Sequence, residues 1–186
     1  FLTKVLRGGT LSDKVAALTL QVQESPVHRL SVLDGLLELG LKKERRTAQM
    51  ALEALKDLFI TNLLPDGRRL VPFESRPLRQ LTAANTRRQQ QLSSKEGGGG
   101  AREMKGAGKA LLMWYFEDQI RSRFYRVVAA IEAGSRDTVE NFKRFSLEAA
   151  KDLLEAKPEG EGRLLGLLVN KLGDPDRKIS SKVFIE

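Results

Sequence analysis

The sequence predicts an all-α protein built from stacked helical repeats, interrupted by one long basic loop. Three observations predict it. Leu and Ala dominate the 41% hydrophobic content while aromatics make up only 6%, a balance that suits helices packed on helices better than sheets. Apolar residues recur at helical spacing through most of the chain. The connections between the first helices are only a few residues long, which places consecutive helices side by side and antiparallel.

The elements follow in order. Ser12 or Asp13 is suited to cap a first helix, on which Leu11, Val15, Leu18 and Val22 share one face. Ser25-Pro26 separates it from a second helix over 26–42, with Leu30, Leu33, Leu37 and Leu41 on one stripe. A third helix over 45–64 carries Ala48, Leu52, Leu55 and Phe59. Pro65, Asp66 and Gly67 then supply turn chemistry. From 66 to 109 the periodicity fades through Pro72, Pro77, three glutamines at 89–91 and four glycines at 97–100. This stretch reads as loop, with a short helix over 78–92. A long helix is expected from about Gly108 to Ala133, opening on the most apolar run of the chain, ALLMWYF at 110–116. Another runs from Asp137 to Ala156 and is closed by Pro158 and Gly160. An apolar helix over 164–172 and a last one after Asp174-Pro175-Asp176, bearing Ile179, Val183 and Phe184, complete the chain. The domain reading is therefore helical repeats over 1–65, a basic Gly/Gln-rich loop over 66–109, and the same solenoid continued over 110–186.

DTVENFKR at 137–144 has a weak echo 37 residues later in DPDRKISSKV at 174–183. In each, an aspartate at a turn precedes a helix with basic residues on its early face. That period is close to the roughly 40 residues of armadillo and HEAT units, which stack because one helical pair cannot bury its apolar face alone. A closed helix bundle is the competing architecture.

The composition leaves little room for chemistry. The chain has no cysteine and a single histidine, His28, so thiolate metal sites and disulfides are excluded, zinc ligation is not expected, and a Ser-His-Asp arrangement would have His28 as its only base. The glycines at 97–100 are followed by no Gly-Lys-Ser/Thr and preceded by no strand, so they are no phosphate-binding P-loop. Glu117 and Asp118 are adjacent and point to different helix faces, which does not make an acid-base pair. No catalytic residue, metal, cofactor or small-molecule substrate is expected. No apolar run reaches the length needed to span a membrane, and no signal peptide is evident. The chain opens on Phe1 and stops at Glu186 within an apparent helix, which reads as a piece of a longer protein.

The net charge is +8 with a pI of about 9.9, suited to a polyanionic partner. Residues 66–109 hold ten Lys/Arg against four Asp/Glu, or +6 of that +8. The RNA-binding candidates are therefore Arg68, Arg69, Arg76, Arg79, Arg87, Arg88, Arg102, Lys105 and Lys109, since arginine-rich segments commonly order on RNA. A solubilising insert is the plain alternative. Trp114, Tyr115 and Phe116 are candidates for a protein interface, although three aromatics in a row more commonly form core between repeats.

Several blocks together resemble the CCAAT-binding-factor family of nucleolar ribosome-assembly proteins. They are GTLSDKVAALTL at 9–20, QESPVHR at 23–29, ALKDLFI at 54–60, LLPD at 63–66, YFED at 115–118 and LLVNKLGD at 167–174. The resemblance covers nearly the whole chain except about 75–105. It implies a non-enzymatic, armadillo/HEAT-like scaffold of the nucleus and nucleolus. Such a scaffold would act in early large-subunit precursors, as a heterodimer with a second nucleolar complex-associated protein, contacting pre-ribosomal RNA. The family name leaves a DNA-binding transcription regulator as an alternative, although no helix-turn-helix, zinc or basic-zipper signature is present. A protein-interaction solenoid without RNA contacts is the other.

Overall fold

The computed structural model describes residues 8–79 and 100–172, with the backbone alone over 100–107. The described residues are helical and contain no strand, as expected. The expected last helix, with Ile179, Val183 and Phe184, lies outside them, as does most of the short helix over 78–92.

Helix α1 (Leu11–Glu24) is opened by Thr10, not by Ser12 or Asp13. Thr10 accepts from the Asp13 amide at 3.3 Å, and Asp13 accepts from the Thr10 amide at 3.0 Å. This reciprocal box needs the acid three residues after the cap, a geometry that only Thr10 satisfies. Helix α2 (Leu30–Gly40) starts later than the expected Pro26, because 25–29 is taken up by turns. The Ser25 hydroxyl lies 2.9 Å from Nδ1 of His28. Helix α3 (Arg45–Leu58) does not continue as α-helix to Leu64. It widens into a π-helical turn over Phe59–Leu63, where the Leu64 amide donates to the Phe59 carbonyl at 3.0 Å.

Helix α4 (Gly100–Gly134) begins eight residues before the expected Gly108, so 100–109 is helix and not loop. Ala101, Arg102, Glu103, Met104 and Lys105 are strong helix formers, and they outweigh Gly106 and Gly108 at about 1 kcal/mol each. Helices α5 (Glu140–Ala156) and α6 (Glu161–Leu172) follow. Between them Gly160 takes a φ of 71°, the left-handed turn that favours glycine.

The chain divides into two compact units. One comprises residues up to 69 together with those from 122 onward; the other is 70–121.

In the first unit α1, α2 and α3 pack on one another, α3 packs on α5, and α5 packs on α6. Leu33, Leu36, Leu52, Leu55, Ile131 and Leu153 fill its core. Phe124, fully buried, meets Phe59 edge-to-face with ring centroids 5.3 Å apart. A methyl group on Gly160 would stand 2.9 Å from the Phe124 ring, so the turn lies directly on it. Lys157, only 5% exposed, donates to the Leu64 carbonyl at 3.1 Å and pairs with Asp66. It thus satisfies a carbonyl at the end of the π-helical turn that the helix itself leaves open. Ion pairs join the early helices to the late ones: Arg123 to Asp34 at 2.7 Å, Arg126 to Glu38 at 2.8 Å, Lys56 to Asp152 at 2.7 Å and Arg45 to Asp137 at 3.1 Å. Each pair keeps at least one solvent-exposed or half-exposed partner, and such surface pairs contribute little each, so apolar burial supplies the stability and the pairs fix registry.

The second unit has an extended strap held by one helix. The Val71 amide donates to Glu117 at 3.0 Å and the Phe73 amide donates to Asp118 at 3.1 Å. Amides two residues apart on an extended chain face the same way, so Glu117 and Asp118, expected on different helix faces, are both turned to the strap and secure it. A 3-10 turn over Phe73–Ser75 follows.

Two predictions follow from the packing. A Cβ on Gly134 would lie 2.2 Å from Oγ of buried Ser146 and 3.0 Å from Phe142. Gly134→Ala should therefore cost about 1–3 kcal/mol, lowering the melting temperature by about 2–4 °C per kcal/mol. Ser146→Ala in the same chain should restore part of that loss; a double variant as unstable as the single one would refute the contact. The second concerns acid. Asp137 is held below the ordinary carboxylate range by the Val139 amide at 2.8 Å and then by Arg45. Its stabilisation is complete above that ordinary range and is lost as pH falls through the lowered value. Asp137→Asn should flatten the fall of stability below about pH 4 in denaturant unfolding, and curves of equal slope would count against this.

Candidate functional site

Of the nine expected RNA-binding cations, Arg68, Arg69, Arg76, Arg79 and Lys109 have side chains among the described residues. Arg68 donates to the Arg69 carbonyl at 3.1 Å. Arg69 donates to the Pro158 carbonyl at 3.1 Å and pairs with Glu161 at 2.5 Å, so it clips the end of the early helices to the α5–α6 turn. Arg76 pairs with Glu117 at 2.5 Å, with its guanidinium 5.4 Å from the Trp114 ring centroid. Two arginines expected to face a polyanion are thus engaged in holding the fold. Arg79 and Lys109 are exposed. Arg102 and Lys105 lie on α4, and Arg87 and Arg88 lie outside the described residues.

The aromatic run does not behave as the core it resembles in sequence. Tyr115 is 51% exposed, and Leu112 and Met113 beside it are 54% and 46% exposed. Trp114 is half-buried under Arg76, and Phe116 is half-buried. At 100° per residue, Leu112, Tyr115 and Phe116 fall on one side of α4, with Trp114, Glu117 and Asp118 on the other. The strap occupies the second side within its own unit, which leaves an apolar strip around Tyr115 open.

Two basic features of the first unit escape a segment-by-segment charge count. One is a cavity of about 410 Å³ lined by Ser135, Arg136, Arg163, Asn170 and Lys171, with Glu132 among them. Glu132 is held below the ordinary carboxylate range, first by its hydrogen bond from Arg163 at 2.8 Å, then by Arg136 at 2.7 Å. The other is the α2–α3 turn, where Lys42, Lys43, Arg45 and Arg46 are all exposed. The signal for the turn is plain in the string KKERR at 42–46. It is hidden when those residues are assigned as the ends of two amphipathic helices.

Among the described residues no three of His, Cys, Asp or Glu are placed to share a metal ion. No helix among them is long and apolar enough to cross a membrane. The polar groups that are brought together hold backbone amides, carbonyls and one another, and the basic turn at 42–46 and the apolar strip around Tyr115 remain exposed.

No family model matches the chain. Individual proteins do. It is 39% identical over 98% of its length to ribosome biogenesis protein NOC1 of Chaetomium thermophilum, covering 17% of that protein. It is 38% identical over 96% of its length to CCAAT/enhancer-binding protein zeta of Homo sapiens, covering 16% of it. Nucleolar complex protein 1 of Drosophila melanogaster is 30% identical over 98% of the chain, which covers 14% of that relative. The chain thus spans about a sixth of the length of the curated relatives it matches. Identity of 30–39% is sustained along at least 96% of the chain, from fungus to fly to human, so the chain is similar throughout to one segment of NOC1, CCAAT/enhancer-binding protein zeta and nucleolar complex protein 1.

Proposed function

We propose that this chain is part of a non-catalytic scaffold for maturation of the large ribosomal subunit in the nucleolus, holding pre-ribosomal RNA and other assembly proteins. The observation that carries this reading is the 39% identity to a ribosome biogenesis protein over 98% of the chain. The basic balance supports an RNA partner. The engagement of Glu117, Asp118, Glu132 and Asp137 with amides and arginines supports a structural role for these acids. The proposal includes an armadillo/HEAT-like stacking of the helices and a heterodimer with a second nucleolar complex-associated protein. Of the three aromatics, Tyr115 keeps the exposure that contact with such a partner requires.

Depleting the full-length protein should lead large-subunit pre-rRNA intermediates to accumulate, read by pre-rRNA profiling; an unchanged profile would overturn the reading. Matched-salt binding to structured RNA and duplex DNA separates it from a transcription regulator, since tight sequence-selective DNA binding would favour the latter. Leu112→Asp with Tyr115→Asp should leave stability within about 0.5 kcal/mol per site and reduce co-purification of assembly proteins. Full recovery of those proteins with the variant would remove α4 as the contact.

A further inference from the structure

The unpaired positive charge of the described residues concentrates away from 66–109. Four cations stand within five residues at the α2–α3 turn, with Glu44 the one acid among them. Lys42, Lys43 and Arg46 make no ion pair among the described residues, and Arg45 pairs with Asp137 at 3.1 Å. Local stability does not call for this arrangement. Arg45 and Arg46 occupy the first turn of α3, the positive end of the helix dipole, where a cation is unfavourable. That turn contains no acid, and Glu44 makes no capping hydrogen bond.

Ion pairs extend the patch. Asp137, held by Arg45, is followed back along the chain by Arg136, which pairs with Glu132 at 2.7 Å. Arg163 pairs with the same Glu132 at 2.8 Å, and both arginines line the 410 Å³ cavity with Lys171. Seven cations and three acids therefore form one connected surface of the first unit, and two of those acids are already engaged by arginine. Gly162 and Gly166 line the cavity with nothing within 4 Å of where a Cβ would stand, so a bulky chain can approach the α6 backbone.

We infer that this basic track, from the α2–α3 turn across the α4–α5 turn into the α4–α6 cavity, binds the phosphodiester backbone of RNA. Phosphate contacts need only cations and hydrogen-bond donors, with no base-reading element. An acidic polypeptide of comparable affinity ordinarily adds buried apolar anchors, and among the described residues Leu167 is the one large apolar residue lining the cavity. The inference rests on the RNA-binding reading above and moves the main contact from the arginine-rich stretch to the folded helices.

The test uses the 186-residue chain and a structured RNA in a salt titration read by fluorescence anisotropy. Lys42→Ala/Lys43→Ala/Arg46→Ala removes no ion pair among the described residues, so its melting temperature should match the parent's. Its slope of log affinity against log salt should fall by about two to three, and its affinity at physiological salt about tenfold. Gly166→Glu places a carboxylate in the open cavity and should weaken binding by a similar factor. If the parent binds RNA and both variants bind equally well, the track is refuted while the RNA-binding reading stands. If the parent binds no RNA at low salt, that reading fails and the track with it. Equal binding of polyglutamate, lost in the same variants, would overturn RNA as the ligand in favour of an acidic protein.

Discussion

The phenyl ring of Phe124 is where three distant parts of the first unit meet. Phe59 reaches it from the π-helical turn after α3, α4 carries it, and Gly160 lies on its face from the turn before α6. Fully burying a phenylalanine is among the larger single contributions to a core, and truncating one typically costs about 3–5 kcal/mol. The features around it look arranged to serve that contact. The π-helical turn carries Phe59 without letting α3 run on, Gly160 has no side chain to stand in the way, and Lys157 satisfies the carbonyl left open at Leu64. The helices on either side are thereby fixed, and with them the turns that carry the exposed cations.

Charge in this protein has two uses that a ledger by segment cannot separate. Arg69, Arg76, Arg123 and Arg126 spend their guanidinium groups on carboxylates of the same unit. Lys42, Lys43 and Arg46 have none to pair with among the described residues. A count over 66–109 finds the largest excess of positive charge in the sequence, yet in space some of that excess is already neutralised. What matters to a polyanion is charge that remains exposed after the fold has formed.

The helices themselves are plain in the sequence because each buries one stripe against its neighbours, as Leu33, Leu37, Leu52 and Leu55 do. Pro158 and Gly160 likewise mark the α5–α6 turn by their own chemistry. Other features depend on partners far along the chain and leave no local trace. Trp114 reads as core until Arg76 is seen beside it, and nothing adjacent to Lys157 announces the Leu64 carbonyl. The early start of α4 was hidden by glycines whose cost its flanking alanine, arginine and glutamate outweigh. Of the candidate surfaces, the exposed Tyr115 strip was visible as an apolar run, whereas the cavity at Glu132 required the α4 and α6 faces to be brought together.

The first unit is discontinuous: it closes through pairs such as Lys56–Asp152 and Arg123–Asp34, about ninety residues apart in sequence. The stretch from 70 to 121 leaves that unit and returns to it. The entropy of closing such an excursion grows only with the logarithm of its length, about 0.6 kcal/mol for each doubling. Residues can therefore be added to or removed from the excursion at little thermodynamic cost to the helices on either side. The excursion is thus where this chain can absorb a change of length, while the packing around Phe124 holds the frame.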